Sequence, residues 1–281
     1  MENNQTTTNG VVDGVHVCLG LPTYDGTIEV NAAFKALAQA SSKIRFTPLA
    51  EGSSALCQVF NRLWVQALGS VNQPFTHFAM LHSDMNPDIG WLDNLYDTMQ
   101  ATNATVVSAV AAIKDAKGVT STAVGDPQDE WDYRRLTLSE LQKLPDAFAV
   151  EDIARSGFWP ESYTKDKCLL VNTGCMLIDL RWPHWMDKAA DGLTLKFCFN
   201  QDYRVQQWPT GKWCPEFSPE DWQMSRYIYR NGGKVVATKK VGTLHIGKAP
   251  YPSSGVWGGA TDSEMDKFLA DKAECFKAAP A

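Results

Sequence analysis

Several things are missing from this chain, and each absence narrows its class. Seven cysteines are present, but no two stand in a Cys-x-x-Cys pair, so neither a zinc ribbon nor a thioredoxin-type redox motif is indicated. Their odd number and scatter do not suit a complete disulfide framework. Cys168 and Cys175 lie inside an apolar run, so buried free thiols in a reducing compartment are expected. No uninterrupted run of about 18 apolar residues occurs, so no membrane span is expected. The opening MENNQTTTNG has no cationic start followed by an apolar segment. No secretory signal is therefore read there, and the sequons at Asn4 and Asn103 carry little weight. A strong excess of either charge is also missing. The formal net charge of −6 argues against wholesale wrapping of a polyanion, although it permits a local basic patch. Internal repeats and a linker long enough to separate two domains are lacking as well. What remains is 281 residues, 44% hydrophobic and 21% charged, enough for a full core in a soluble, cytoplasmic globular protein.

Through the first 110 residues short apolar runs alternate with helical patterns. VHVCLGLP (15–22), KIRFTPL (43–49), HFAML (77–81) and ATVVSAVAAI (104–113) read as strands. Helices are predicted over 28–41, over 54–69 and from Ile89 to Met99. In the second of these, Leu56, Val59, Phe60, Leu63 and Ala67 keep one face apolar. Alternation of this kind predicts βαβ units, right-handed crossovers and a mainly parallel sheet. Residues 114–166 are polar and read as loops or a short hairpin. KCLLVNTGCMLIDL (167–180) reads as strand interrupted at 172–174, and 191–218 as irregular. A helix is predicted over 218–233, capped by Ser218, with Pro219 in its first turn, Glu220 and Asp221 at its positive end and Gly232-Gly233 as its stop. KVVAT and GTLHIG are short strands, and a polar helix over 262–278 closes the chain. The expected organisation is a flexible 1–14, one catalytic domain over 15–261 and a tail over 262–281. That domain divides into a nucleotide-binding half (15–113) and an acceptor-side half (114–261).

The segment HFAMLHSDMNPDIGWLDNL (77–95) ends a buried strand on His82, Ser83 and Asp84. In an open α/β sheet the carboxyl edge of the strands is where ligands bind. In a parallel-sheet fold the other polar strand ends, and the head of the 218–233 helix, fall on the same face.

Taken in order, these motifs resemble a glycosyltransferase of the GT-A type, the nucleotide-diphosphosugar transferase superfamily, over roughly residues 15–250. LPTYDG (21–26) stands where such enzymes end their first strand and cradle the nucleotide. FNRLWVQAL (60–68) resembles the Arg-Asn helix, with Phe60 in the Arg place and Asn61 in the Asn place. LHSDM resembles the Asp-x-Asp motif, with His82 for the first Asp. NTGCMLIDLRW (172–182) is similar to the strand behind the donor sugar, PEDW (219–222) to the head of the acceptor-side helix, and LHIGK (244–248) to the late His-x-Gly of the metal site. The resemblance implies a Rossmann-like three-layer α/β/α domain. It also implies a donor site of Pro22, Thr23, Tyr24, Asp25, Asn61, His82, Ser83, Asn172, Thr173, Gly174 and Lys248. Asp84 and His245 would hold the metal, with Asp221 and Glu220 as catalytic carboxylates.

The chemistry runs the same way. A diphosphate leaving group departs only if its growing charge is neutralised, which a divalent cation on a few hard ligands achieves. Carboxylate plus imidazole tilts the choice to Mn²⁺ over Mg²⁺. Inverting transfer needs a carboxylate base at the acceptor hydroxyl, the part given to Asp221; in retaining transfer the same residue would orient sugar or acceptor. Tryptophan adds an acceptor-side hint. Eight of ten lie after residue 130, and Trp208, Trp213 and Trp222 are the candidate walls. The acceptor is expected to be a glycan, a small molecule or, less favoured, a hydroxymethylated base in DNA met by Arg134, Arg135, Lys239, Lys240 and Lys248. Two other classes stay open. A nucleotidyltransferase would need a basic Gly-rich loop after the first strand, which LGLPTYDGTIE lacks. A sugar-nucleotide- or glycan-binding protein without turnover would fit the His82 departure.

Overall fold

The computed structural model describes residues 14–37, 43–70, 74–115, 117–207 and 211–258. The first half runs β1 (His16–Thr23), α1 (Val30–Leu37), β2 (Arg45–Gly52), α2 (Leu56–Gly69), β3 (His77–Leu81), β4 (Met85–Pro87), α3 (Trp91–Thr102) and β5 (Val106–Ala109). Then follow β6 (Val119–Gly125), β7 (Tyr133–Thr137), α4 (Leu138–Leu141), β8 (Ala147–Phe148), α5 (Val150–Ser156), β9 (Cys168–Leu170) and β10 (Cys175–Asp179). The last part comprises β11 (Asp202–Gln207), β12 (Trp213–Ser218), α6 (Glu220–Arg230), β13 (Val235–Thr238), β14 (Thr243–Ile246) and β15 (Pro250–Pro252). The predicted strands and helices of the first half are all present, within a few residues of their expected ends.

Seven strands form the central sheet in the order β2-β1-β3-β10-β5-β13-β8. Five point one way; β10 runs antiparallel between β3 and β5, and β8 runs antiparallel at one edge. The sheet is therefore mixed, with a parallel majority. Pro48 sits in β2, which is the other edge strand, where its missing N–H costs no ladder bond on the open side.

Side chains alternate across the central strands into two cores. Phe78 and Met80 of β3 face one side with Phe60, Leu63 and Trp64 of α2 and Met224 and Ile228 of α6. Ala79 and Leu81 face the other, with Ala36 of α1 and Trp91, Leu92 and Leu95 of α3. Helices thus cover both faces, which is why these strands read as continuous apolar runs and not as alternating ones. The α2 side is the more aromatic. Trp64 meets Trp185, Phe197 and Phe199 edge-on at 5.1–5.9 Å, and each such ring buried contributes on the order of 2–3 kcal/mol. No helix among the described residues is long and apolar enough to cross a membrane.

Three expectations need correction. Of the loops or short hairpin expected over 114–166, the hairpin is present as β6–β7; what was not expected is that β9 joins it in a three-stranded sheet and that α4 and α5 follow β7. The stretch 191–218 is not irregular throughout, because β11 and β12 pair as an antiparallel ribbon. Its alternation is real, but Pro215 in the second strand reads locally as a breaker; a two-stranded ribbon has open edges that accept it. Ser218 does not cap α6. It ends β12, Pro219 takes the cap position, and the Ser218 hydroxyl accepts from Gln223 Nε2 at 3.1 Å. Of the expected flexible 1–14 segment all but Gly14, and the whole of the expected 262–278 helix, lie outside the described residues.

Candidate functional site

The loop after β3 is fastened on three sides. His82 N–H donates to the Gly174 carbonyl (2.9 Å), Glu29 N–H to that of Ser83 (2.8 Å) and Ile246 N–H to that of Asp84 (2.8 Å). The last contact extends the register of β14 on β4, in which His245 stands opposite Met85. A residue 161 positions away in sequence is thereby carried to the end of β3.

At this end Asp84 Oδ2 accepts from Lys114 Nζ, and His245 Nε2 lies 3.7 Å from the same oxygen. His245 Nδ1 donates to the Ala112 carbonyl at 2.8 Å, since a carbonyl can only accept. In the neutral ring this leaves the lone pair on Nε2, facing the carboxylate. Burial works against ionising Asp84, but the hydrogen bond from Lys114 and the nearby imidazoles of His245 and His82 outweigh that and hold the carboxyl well below its usual range. His82 is pushed down to about 4, chiefly by burial, and is neutral at physiological pH. Its Nε2 shares a hydrogen bond with Thr173 Oγ1 at 3.2 Å, and its ring lies 5.1 Å from that of Phe60.

The turn at 172–174 enters β10 from the same edge, because β10 is antiparallel to its neighbours. Asn172 Nδ2 donates to the Ala109 carbonyl (2.8 Å), and its Oδ1 accepts from Gly174 N–H (2.9 Å). A Cβ on Gly174 would come within 3.1 Å of Asn172 Oδ1 and 3.2 Å of Met85 Cγ, so the turn packs closely here. Asn172 therefore shapes the turn, while Thr173 presents its hydroxyl to His82. At the end of β1, Thr23 is buried, Tyr24 and Asp25 are exposed, and Asp25 Oδ1 accepts from Thr27 N–H at 3.0 Å. Asn61 does not face this edge with a free amide. It donates to the Phe199 carbonyl (2.8 Å) and accepts from Phe199 N–H (2.9 Å), clamping a loop to α2. Lys248 is exposed in the turn between β14 and β15.

A second carboxylate cluster stands at the head of α6. Asp221 Oδ1 is buried with no hydrogen-bond partner among the described residues. Burial, and then the neighbouring Glu220, raise the Asp221 carboxyl well above its ordinary range, with Arg135 pulling the other way. Glu220 is also raised by burial and accepts from Gln201 Nε2 at 2.7 Å. Ser225 Oγ, one turn on, donates to the Asp221 carbonyl and accepts from Val171 N–H, which ties this helix head to the 172–174 turn.

No protein-family model matches this chain, and no curated protein matches it.

Geometry therefore has to sort the candidates. His82, Asp84, Thr173 and His245 come together. Among the described residues no three His, Cys, Asp or Glu side chains group as a metal centre, so a cation would have two protein donors, Asp84 and His245. Their 3.7 Å spacing would allow both to reach one ion. Trp222 is no acceptor wall: it is 1% exposed, donates from Nε1 to the Ser121 carbonyl (3.2 Å) and lies under Arg135. Trp213 is 63% exposed, and Trp208 lies outside the described residues. The cations considered for DNA are largely turned inward. Arg134 is buried over Trp159, Arg135 covers Trp222, and Lys239 donates to the carbonyls of Leu141 and Leu144.

Sequence reasoning missed Lys114 as a site residue and named Arg135 only as a cation for DNA phosphates, not as the partner of Asp221. Lys114 was findable, since it follows the fourth parallel strand as Asp84 follows the third. Gly247 makes room for it, as a Cβ there would meet Lys114 Cδ at 2.9 Å.

Proposed function

We propose that the chain is a GT-A type glycosyltransferase that moves a sugar from a nucleoside-diphosphate sugar, UDP-linked, to an acceptor hydroxyl. The observation that carries this reading is topological. An antiparallel strand, β10, lies between β3 and β5, and its entry turn meets the His82–Asp84 loop at the edge where β1 also ends. On this reading the base and ribose would rest against Tyr24 and Asp25, the diphosphate would meet the polar cluster around His82 and Asp84, and the raised Asp221 would serve the acceptor.

Asp84 and His245 are the residues that would hold a divalent cation, Mn²⁺ in preference to Mg²⁺ because one donor is an imidazole. When bound, the cation supplies neutralisation of the leaving diphosphate. For this Lys114 must give up Asp84, which frees its ammonium for a phosphate oxygen. Neutral His82, held by Thr173, offers a hydrogen bond without competing charge. Asp221 takes the proton of the acceptor hydroxyl if transfer inverts; its raised pKa makes it a stronger base than an ordinary surface Asp. If transfer retains, the same carboxylate orients the acceptor. The inward-turned cations leave DNA the less favoured acceptor.

One observation favours a second reading, a sugar-nucleotide-binding protein without turnover: Lys114 already occupies the Asp84 oxygen. The deciding experiment incubates the protein with a panel of nucleotide sugars and Mn²⁺ and follows release of the nucleoside diphosphate. In parallel, the melting temperature is followed with UDP in Mn²⁺ or EDTA. The transferase reading expects donor hydrolysis and a Mn²⁺-dependent UDP shift that Asp84→Ala removes. A UDP shift that is equal in EDTA, without hydrolysis, selects the binding protein. Absence of both overturns the two readings together.

A further inference from the structure

The β11–β12 ribbon is built inside out. Its register pairs Tyr203 with Phe217, Val205 with Pro215 and Gln207 with Trp213. On this face Tyr203 is 72%, Val205 67%, Trp213 63% and Phe217 40% exposed. The alternate residues point inward and include all the charged ones of the ribbon, Asp202, Arg204 and Glu216. Arg204 is ion-paired with Glu216 and stacked over Trp131 at 4.4 Å, and Asp202 Oδ2 accepts from Gln223 Nε2 of α6 at 3.0 Å. Water alone would select the opposite arrangement, so an aromatic strip facing out while ion pairs face in marks a surface kept for a ligand.

We infer that this outward face is the acceptor platform and that it takes a neutral oligosaccharide chain; the inference rests on the transferase reading. Three features carry it. The strip leads directly into the candidate base, since Phe217 is followed by Ser218, Pro219, Glu220 and Asp221, and Gln201, just before β11, holds Glu220. It has no charged side chain, so it supplies nothing for the phosphates of a nucleic acid or an anionic lipid. Its rings are amphipathic at their rims, through the Tyr203 hydroxyl and Trp213 Nε1, while the Gln207 amide nitrogen beside them donates to the Gly211 carbonyl. That mixture suits sugar rings, which pair apolar C–H faces with equatorial hydroxyls. From the Tyr203–Phe217 pair to the Gln207–Trp213 pair the ribbon rises by about 13 Å, the length of a short oligosaccharide.

The test titrates the full chain with glucose and N-acetylglucosamine oligomers of one to six units (malto-, cello-, laminari- and chito-series), using calorimetry and tryptophan fluorescence. In at least one series the Kd is expected to fall at least tenfold from disaccharide to hexasaccharide. The Tyr203→Ser/Trp213→Ser variant is expected to lose at least tenfold in hexasaccharide affinity at an unchanged melting temperature, because both side chains are exposed. No binding in any series overturns the inference. So does a dimer, seen by light scattering in the wild type and lost in the variant, or binding to neutral or anionic vesicles lost in the variant, since a second copy or a membrane would then be the occupant. The Mn²⁺-dependent UDP shift is read separately on the wild type. A UDP shift without glycan binding fails the platform alone, and glycan binding without a UDP shift fails the transferase reading alone.

Discussion

Asp84 and Asp221 reach the same end of the molecule from opposite sides of the chain, and their surroundings drive them apart. Asp84 leaves a parallel strand among Lys114, His245 and His82, and its neighbours overcome burial to keep it ionised. Asp221 starts a helix, where the macrodipole by itself would favour its charge. Burial and Glu220 nevertheless raise it well above the usual range. The contrast teaches that local position does not set a carboxylate's task. One is arranged as a permanent anion able to meet a cation, the other as a buried group that holds its proton more tightly than an ordinary carboxylate.

The largest effect should come from removing the titrating member. Asp221→Asn is expected to cost about a hundredfold or more in transfer rate, in line with a general base, with little change in donor affinity. It should also raise the melting temperature at neutral pH. The native pKa is raised, so above the ordinary carboxylate pKa the unfolded chain has released a proton that the native state retains. Stability is lost as pH rises through that window, and Asn removes the loss. A variant with wild-type turnover breaks the comparison. Equal melting temperatures at pH 7 would mean that the Asp221 carboxyl is not raised.

A smaller effect sharpens the other side. Lys114 and Asp84 are both about a third exposed, and such an ion pair contributes about 1 kcal/mol or less. Lys114→Met should therefore tighten binding of Mn²⁺ alone by up to about fivefold, read by titration in the absence of nucleotide. Weaker Mn²⁺ binding in this variant would show that Lys114 does not compete for the Asp84 oxygen.

The smallest separates site from core. His77 begins the strand that His82 follows. It is fully buried, and burial, with Arg181 adding to it against Asp179, takes it down to about 4. Below about pH 6.5 the unfolded imidazole binds a proton that the native one refuses, so stability falls as pH drops from 6.5 towards 4. A decline in melting temperature over that range is expected, and His77→Gln should flatten it. An identical decline in the variant would assign the acid sensitivity elsewhere.

The first half was legible because its signals are local. The Leu56–Ala67 spacing, the apolar runs and the strand-ending His82–Asp84 each fall within one window of sequence. The ribbon at 202–218 was hidden because its alternation is inverted and interrupted by Pro215, and Trp222 looked like a binding wall although it packs under Arg135. Asn61 and Asn172 read as ligand contacts, whereas their amides are spent on Phe199 and on the 172–174 turn.

The sequence by itself determined the order of strands and helices and which polar residues end them, since periodicity and turn chemistry act between near neighbours. The tertiary structure alone decided that β10 enters the sheet antiparallel, that His245 and Lys114 meet Asp84, and that Asp221 is raised while Asp84 is lowered. Those outcomes depend on burial and on groups brought together from distant segments, 30 residues apart for Lys114 and Asp84 and 161 for His245 and Asp84, and no local pattern encodes such distances.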